Sequence, residues 1–195
     1  MVAEPGIAGR VRGALRKIGL TCYRFNLALL CAAAVGAVFV VTWPSTFWPA
    51  AVPLGLFGVP AAVVDYADHR IPNPLTVLFA SGEVAATVGT ALVLGTPEIV
   101  LRALVGGVAW SGFLLVSFVF SGQPGPGDVK LAVPLGMLAG AAGWSALAST
   151  VLLCHLLAGA AALVLAFRRR KLRVPLAPAM VSGTVLAVTM TSLAA

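Results

Sequence analysis

The sequence predicts an all-α, polytopic transmembrane bundle of about seven helical spans, on the evidence of composition, hydropathy and charge distribution. Of the 195 residues, 60% are hydrophobic and only 10% are charged, whereas soluble domains carry about 25% charged residues. Several apolar runs reach the roughly 20 residues that a helix needs to cross a bilayer. The alternating pattern of membrane strands is absent from the sequence, and helices satisfy their own backbone hydrogen bonds in lipid.

Turns that are polar or rich in proline and glycine separate the apolar runs. The predicted spans cover residues 25–41, 48–64, 74–94, 99–120, 128–143, 144–167 and 176–193. Pro49, Pro53 and Pro60 fall in the second span and predict a kink there, because proline removes a helix hydrogen bond.

Positive charge is concentrated on one predicted side of the membrane. Residues 1–24, 65–73, 121–130 and 168–173 fall on that side, and Arg102 is the one exception among the 13 Lys and Arg residues. Basic loops remain in the cytoplasm. We therefore expect a multi-pass protein of the cell membrane with a cytoplasmic amino terminus. The same rule accounts for the net charge of +7 without a nucleic-acid partner.

The chain shows no internal repeat or domain linker. We expect residues 1–24 to form a basic arm on anionic membrane lipid and residues 25–195 to form one transmembrane domain. Cys22, Cys31 and Cys154 form no CxxC pair, so we expect neither a zinc site nor a disulfide framework.

Two polar stretches interrupt the apolar runs on the predicted cytoplasmic side. One runs from Asp65 through Asp68 to Asn73, and the other is Gly125-Pro126-Gly127-Asp128-Val129-Lys130. The sidedness places Asp65 and Asp128 at the same membrane face and at similar depth. The residues alone leave plainer roles open, since Asp128 is also suited to cap a helix and Asp65 to be an interfacial acid balanced by nearby cations.

Together the two stretches resemble the type IV prepilin peptidases, a family of intramembrane aspartyl proteases with a GxGD motif. In that family the first catalytic aspartate ends a helix six residues before an Ile/Leu-Pro-Asn/Asp turn, as Asp65 precedes Ile71-Pro72-Asn73 here. The second closes GxGD, often with lysine two residues later, as Asp128 and Lys130 do here. The resemblance covers residues 48–194 and includes a Pro-x-x-Pro-like stretch at 175–178.

One difference from the family pattern limits the resemblance to one branch of the family. Longer members of the family carry a cytoplasmic insertion with paired CxxC cysteines and also methylate the new amino terminus. This chain has neither insertion nor CxxC pair, and it resembles the short, protease-only branch of Flp or tight-adherence pilus systems. The resemblance therefore implies a peptidase without N-methyltransferase activity.

The implied activity is removal of the basic leader of a prepilin-like protein at the cytoplasmic membrane face. Two carboxylates sharing a site do not both ionise easily, so one is free to activate water while the other, protonated, binds the scissile carbonyl. This chemistry needs no metal or cofactor, and it leaves open which aspartate is the base. The resemblance implies catalytic roles for Asp65 and Asp128 and supporting or substrate-binding roles for Pro72, Asn73, Gly125, Gly127 and Lys130.

Further candidates and one different class of function remain open at this stage. Asp68 competes with Asp65 for the first catalytic position. Glu83, inside the third span, is either functional or a protonated glutamate bonded to a neighbouring helix. The alternative function is a non-enzymatic membrane protein, either a proton-coupled carrier or a pilus-assembly factor. The expected partners are a prepilin peptide and lipid, and the oligomeric state is open.

Overall fold

The computed structural model describes residues 48–167 and 175–193. The predicted basic arm, the first predicted span at 25–41 and the basic loop at 168–173 lie outside the described residues, as do Cys22 and Cys31. Within the described ranges every regular element is a helix.

Seven α-helices and one π-helical turn follow one another in the described ranges. They are α1 (Trp48–Pro53), the π turn (Leu54–Gly58), α2 (Val59–Asp68), α3 (Asn73–Leu94), α4 (Glu98–Ser121), α5 (Pro126–Ala142), α6 (Trp144–Phe167) and α7 (Ala177–Leu193).

Four of the predicted spans are confirmed as helices long and apolar enough to cross a membrane. They are Pro49–Tyr66, Asn73–Leu94, Glu98–Ser121 and Trp144–Val164. Helices α5 and α7 have 17 residues each, or about 25 Å at 1.5 Å per residue. The chain is thus a helical membrane protein, while the full number of seven spans and the cytoplasmic amino terminus stay predictions.

The proline-rich second span is interrupted where the sequence predicts a kink. Pro53 has no N–H with which to continue the α-helical ladder, and the π turn begins directly after it. Helix α2 then continues past the predicted end at residue 64 to Asp68. It ends at His69, whose N–H donates to the Asp65 carbonyl oxygen at 2.8 Å and whose left-handed backbone (φ 51°) turns the chain out of the helix.

The Gly-Pro-Gly-Asp stretch is mostly the beginning of a helix, where the sequence predicts a loop through Gly127. Gly125 is the extended N-cap of α5, and Pro126 is the first helical residue. Proline suits this position, because its fixed φ matches the helix and the first N–H groups have no intrahelical partner. Asp128 is therefore the third residue of α5, and the helix fixes the position of its backbone relative to the rest of the bundle.

Glycines bring α4 and α5 into direct backbone contact. A Cβ added to Gly106 would lie 2.3 Å from the Gly136 carbonyl oxygen, and one added to Gly140 would lie 2.3 Å from the Arg102 carbonyl oxygen. In the same way, a Cβ on Gly183 of α7 would lie 2.8 Å from the Cys154 nitrogen of α6. Small residues allow such close approach between membrane helices, where packing rather than water exclusion drives association.

Because of this packing, α5 is the buried centre of the described bundle. Of the eleven consecutive residues 131–141, all except Val133 are buried, and its leucines join a core with Phe79 and Trp110. Large apolar side chains on the outer faces of α4 and α6, such as Val108 and Leu163, remain exposed, as expected for surfaces that face lipid.

Candidate active site

Asp65 lies in the last turn of α2 and is almost fully buried, with 7% of its surface exposed. Its Oδ2 atom accepts a hydrogen bond from the backbone N–H of Ala177, the first residue of α7, at 3.3 Å. The two residues are 112 positions apart in the sequence. A distant helix terminus therefore fixes one oxygen of this carboxyl group.

Asp128 is held within its own helix. Its Oδ2 atom accepts a hydrogen bond from the Gly125 N–H at 3.1 Å, and its own N–H donates to the Gly125 carbonyl oxygen at 3.1 Å. This is the helix-capping role that the sequence leaves open for Asp128. The cap occupies only Oδ2, since Oδ1 is buried and has no hydrogen-bond partner among the described residues.

The two acids line the same pair of cavities at one end of the bundle. The larger cavity, of about 500 Å³, has Phe118, Pro175 and Leu176 among its walls. The smaller cavity, of about 300 Å³, is lined by basic, polar and apolar residues. Arg70, Lys130 and Asn73 are among them. Asp65 and Asp128 lie within electrostatic reach of each other. A polypeptide that entered both cavities would pass both carboxyl groups.

Direct contacts join the two polar stretches that flank the site. Lys130 Nζ donates to Asn73 Oδ1 at 3.0 Å, across 57 positions of sequence. The Gly127 Cα faces Ile71, where an added Cβ would lie 3.4 Å from the Ile71 Cβ. The start of α5 and the start of α3 thus pack against each other.

The supporting residues named from the sequence take different places around the cavities. Gly125 and Gly127 line the smaller cavity, and Gly125 also lines the larger one. Pro72 lines neither; it is the extended N-cap of α3, and its carbonyl oxygen accepts the N–H groups of Leu75 and Thr76. Pro72 therefore determines where α3 begins and, with it, the position of Asn73.

Glu83 is separate from this site. It lies ten residues beyond Asn73 on α3, about 15 Å along the helix, and lines neither cavity. Its side chain is fully buried, and neither carboxyl oxygen has a hydrogen-bond partner among the described residues. Asp68 is the last residue of α2, and its side chain lies outside what the structure describes.

Sequence reasoning did not assign site roles to the groups contributed by α4, by α7 and by the segments directly after α4 and before α7. These are the Ala177 N–H, which bonds Asp65, and the larger cavity's lining residues Phe118, Gln123, Pro175 and Leu176. The Pro-x-x-Pro-like stretch, on the same predicted side as both acids, was the available signal for α7. For Phe118 and Gln123 the only signal was their proximity in sequence to the Gly-Pro-Gly-Asp stretch.

Among the described residues, no group of three or more His, Cys, Asp and Glu side chains is placed to hold a metal ion. The expectation that the chain needs no metal or cofactor rests on the chemistry of paired carboxyl groups and stays a prediction.

Comparison with known proteins agrees with the resemblance seen in the two polar stretches. No curated protein and no solved structure matches the chain. The sequence profile of the type IV leader peptidase family matches residues 52–167, more than half of the chain, and this range contains both acids and both polar stretches. The chain therefore belongs to the type IV leader peptidase family.

Proposed function

We propose that this membrane-embedded leader peptidase is an aspartyl endopeptidase, with Asp65 and Asp128 as its catalytic pair. The observation that carries the proposal is that both carboxyl groups line the same two cavities at one end of the bundle. Each has one oxygen bonded to a backbone N–H. The second oxygen of each is therefore the one left for water or substrate.

The reaction follows from one ionised and one protonated carboxyl group. The ionised group takes a proton from a water molecule, whose oxygen attacks the scissile carbonyl carbon. The protonated group gives its proton to the carbonyl oxygen, so that a neutral tetrahedral intermediate forms. When the intermediate collapses, the protonated carboxyl group gives its proton to the leaving nitrogen and the C–N bond breaks. One hydroxyl group of the intermediate returns its proton to the ionised carboxylate, so that a carboxylic acid and an amine are released and the pair again holds one proton.

The proposed substrate is the basic leader of a type IV prepilin-like protein, cleaved at the cytoplasmic membrane face. Family membership supports this class of substrate. The cytoplasmic location is supported by charge, because 12 of the 13 Lys and Arg residues lie on the predicted side that holds both acids. We also propose that the chain does not methylate its product, since it lacks the paired CxxC cysteines of the bifunctional members.

Co-expression with a candidate prepilin tests the catalytic pair. Asp65→Asn and Asp128→Asn are each expected to abolish leader removal, read as a mass shift of the prepilin on a gel. Glu98→Gln is the matched control, because Glu98 is an exposed acid at the opposite end of α4 from the cavities. Asp68→Asn is expected to retain more activity than Asp65→Asn.

Two results would contradict the proposal. Undiminished leader removal by Asp65→Asn or Asp128→Asn, in protein that reaches the membrane at the wild-type level, would exclude that residue from catalysis. Loss of cleavage in Asp68→Asn with Asp65→Asn active would move the first catalytic role to Asp68.

A further inference from the structure

The hydrogen bond between Asp65 and α7 is unlike the one that holds Asp128. Asp128 is capped by its own helix, so its position depends on a local turn. Asp65 is bonded to Ala177, whose helix packs directly against α2. The orientation of the Asp65 carboxyl group therefore depends on where α7 begins.

Ala177 has an N–H that the helix itself does not use. The first backbone hydrogen bond of α7 runs from the Met180 N–H to the Leu176 carbonyl oxygen at 3.0 Å. This makes Ala177 the first helical position, one of the positions whose N–H groups have no intrahelical acceptor. The next residue, Pro178, has no N–H. Ala177 is also fully buried, so its donor is shielded from competing water.

The same segment forms a wall of the site. Pro175 and Leu176, directly before α7, line the larger of the two cavities. The N-terminus of a helix carries partial positive charge and stabilises an anion within its first turn. The start of α7 therefore combines a donor, a favourable dipole and a cavity wall at one carboxyl group.

We infer that the Ala177 N–H is a positioning group for the proposed peptidase reaction, which holds Asp65 in its reactive orientation and stabilises its ionised form. This inference rests on the proposed catalytic role of Asp65. The titratable and charged residues that line the two cavities together with Asp65 are His69 and Arg70 after α2 and Asp128 and Lys130 on α5. None of these residues lies on α7. The described part of α7 therefore stabilises a negative charge on Asp65 through the backbone N–H of Ala177.

A single-atom change in the backbone tests the inference. Cell-free synthesis into nanodiscs, with a suppressor tRNA that carries lactate, replaces the N–H of residue 177 by an ester oxygen and leaves the side chain unchanged. The matched control is the same change at Ala179, whose N–H makes no hydrogen bond among the described residues. The readout is kcat/KM for leader cleavage as a function of pH.

The ester at Ala177 is expected to lower kcat/KM roughly 10- to 100-fold, the usual range for a hydrogen bond to a charged group. It is also expected to move the acidic limb of the pH profile about one unit to higher pH, because the ionised carboxylate loses a donor. The ester at Ala179 should leave both quantities near those of the unmodified protein.

Two outcomes overturn the inference. The first is an unchanged rate and acidic limb for the Ala177 ester. The second is an equal loss of rate in both esters with an unmoved limb, which would make the bond merely structural. The proposed function is tested separately, since Asp65→Asn in the same nanodiscs must abolish cleavage; if it does not, the catalytic assignment fails whatever the esters show.

Discussion

The contact between α4 and α5 offers a sharp test of how packing far from the acids sets the geometry of the candidate site. Gly106→Ala on α4 would place a Cβ 2.3 Å from the Gly136 carbonyl oxygen, about 0.7 Å closer than the 3.0 Å that real Cβ atoms rarely cross. The obstacle is the backbone of a neighbouring helix, which cannot move aside by a change of rotamer as a side chain can. The two helices must therefore separate, and α5 carries Asp128.

The expected cost follows from the size of this overlap. Forcing an extra methyl group into a well-packed interior costs about 1–3 kcal/mol of unfolding free energy. Displacement of a catalytic group by about 1 Å can cost as much as 100-fold in rate. Because Gly136 is eight residues from Asp128, only part of the shift should reach the site, and we expect a loss of about 10-fold.

The same helix supplies the control for this prediction. A Cβ on Gly112 would meet nothing within 4 Å, and alanine is favoured over glycine in a helix by roughly 0.5–1 kcal/mol. Gly112→Ala should therefore leave the protein as stable as wild type, or more so, with unchanged cleavage. Unfolding in mixed detergent micelles with increasing dodecyl sulfate gives the stability, and leader cleavage gives the rate. Equal behaviour of the two variants in both assays would refute the packing argument.

Two further predictions concern single side chains in and outside the site. Lys130→Met removes the hydrogen bond to Asn73 that joins the two polar stretches, and it should lower kcat/KM about 3- to 10-fold, while Lys130→Arg retains more of the rate; equal rates for both variants would speak against this role. Glu83→Met removes a fully buried carboxyl group whose oxygens lack partners among the described residues, and it should raise the unfolding free energy by about 1–3 kcal/mol. Cleavage by Glu83→Met should stay within about twofold of wild type, and a large loss would instead give Glu83 a functional role.

The helices were largely predictable, because an apolar run long enough to cross a bilayer satisfies its backbone hydrogen bonds in lipid by forming a helix. The span from Trp144 to Phe167 has the same limits in sequence and structure. Disagreement is concentrated where polar residues adjoin the ends of helices. Asp65 does not end its helix, which continues to Asp68, since an aspartate in the last turns of a helix at an interface costs little.

The start of α5 shows the same limit of sequence reasoning. Glycine and proline favour turns, so the stretch before Asp128 was predicted as a loop. Proline is equally suited to the first helical position, and the structure begins the helix at Pro126. Local preference could not decide between these two outcomes, because both satisfy the fixed φ of proline.

The sequence by itself determined that the chain is a helical membrane protein, because its apolar runs leave few alternatives, and its two polar stretches pointed to the type IV leader peptidase family. Only the tertiary structure decided which groups surround those stretches. The bond from the Ala177 N–H to Asp65 spans 112 positions, and the contact of Gly106 with Gly136 depends on how two helices cross. Neither contact can be read from the local sequence, because every helix start has free N–H groups and small residues fit in many places. Only the packing of the helices determines which groups meet.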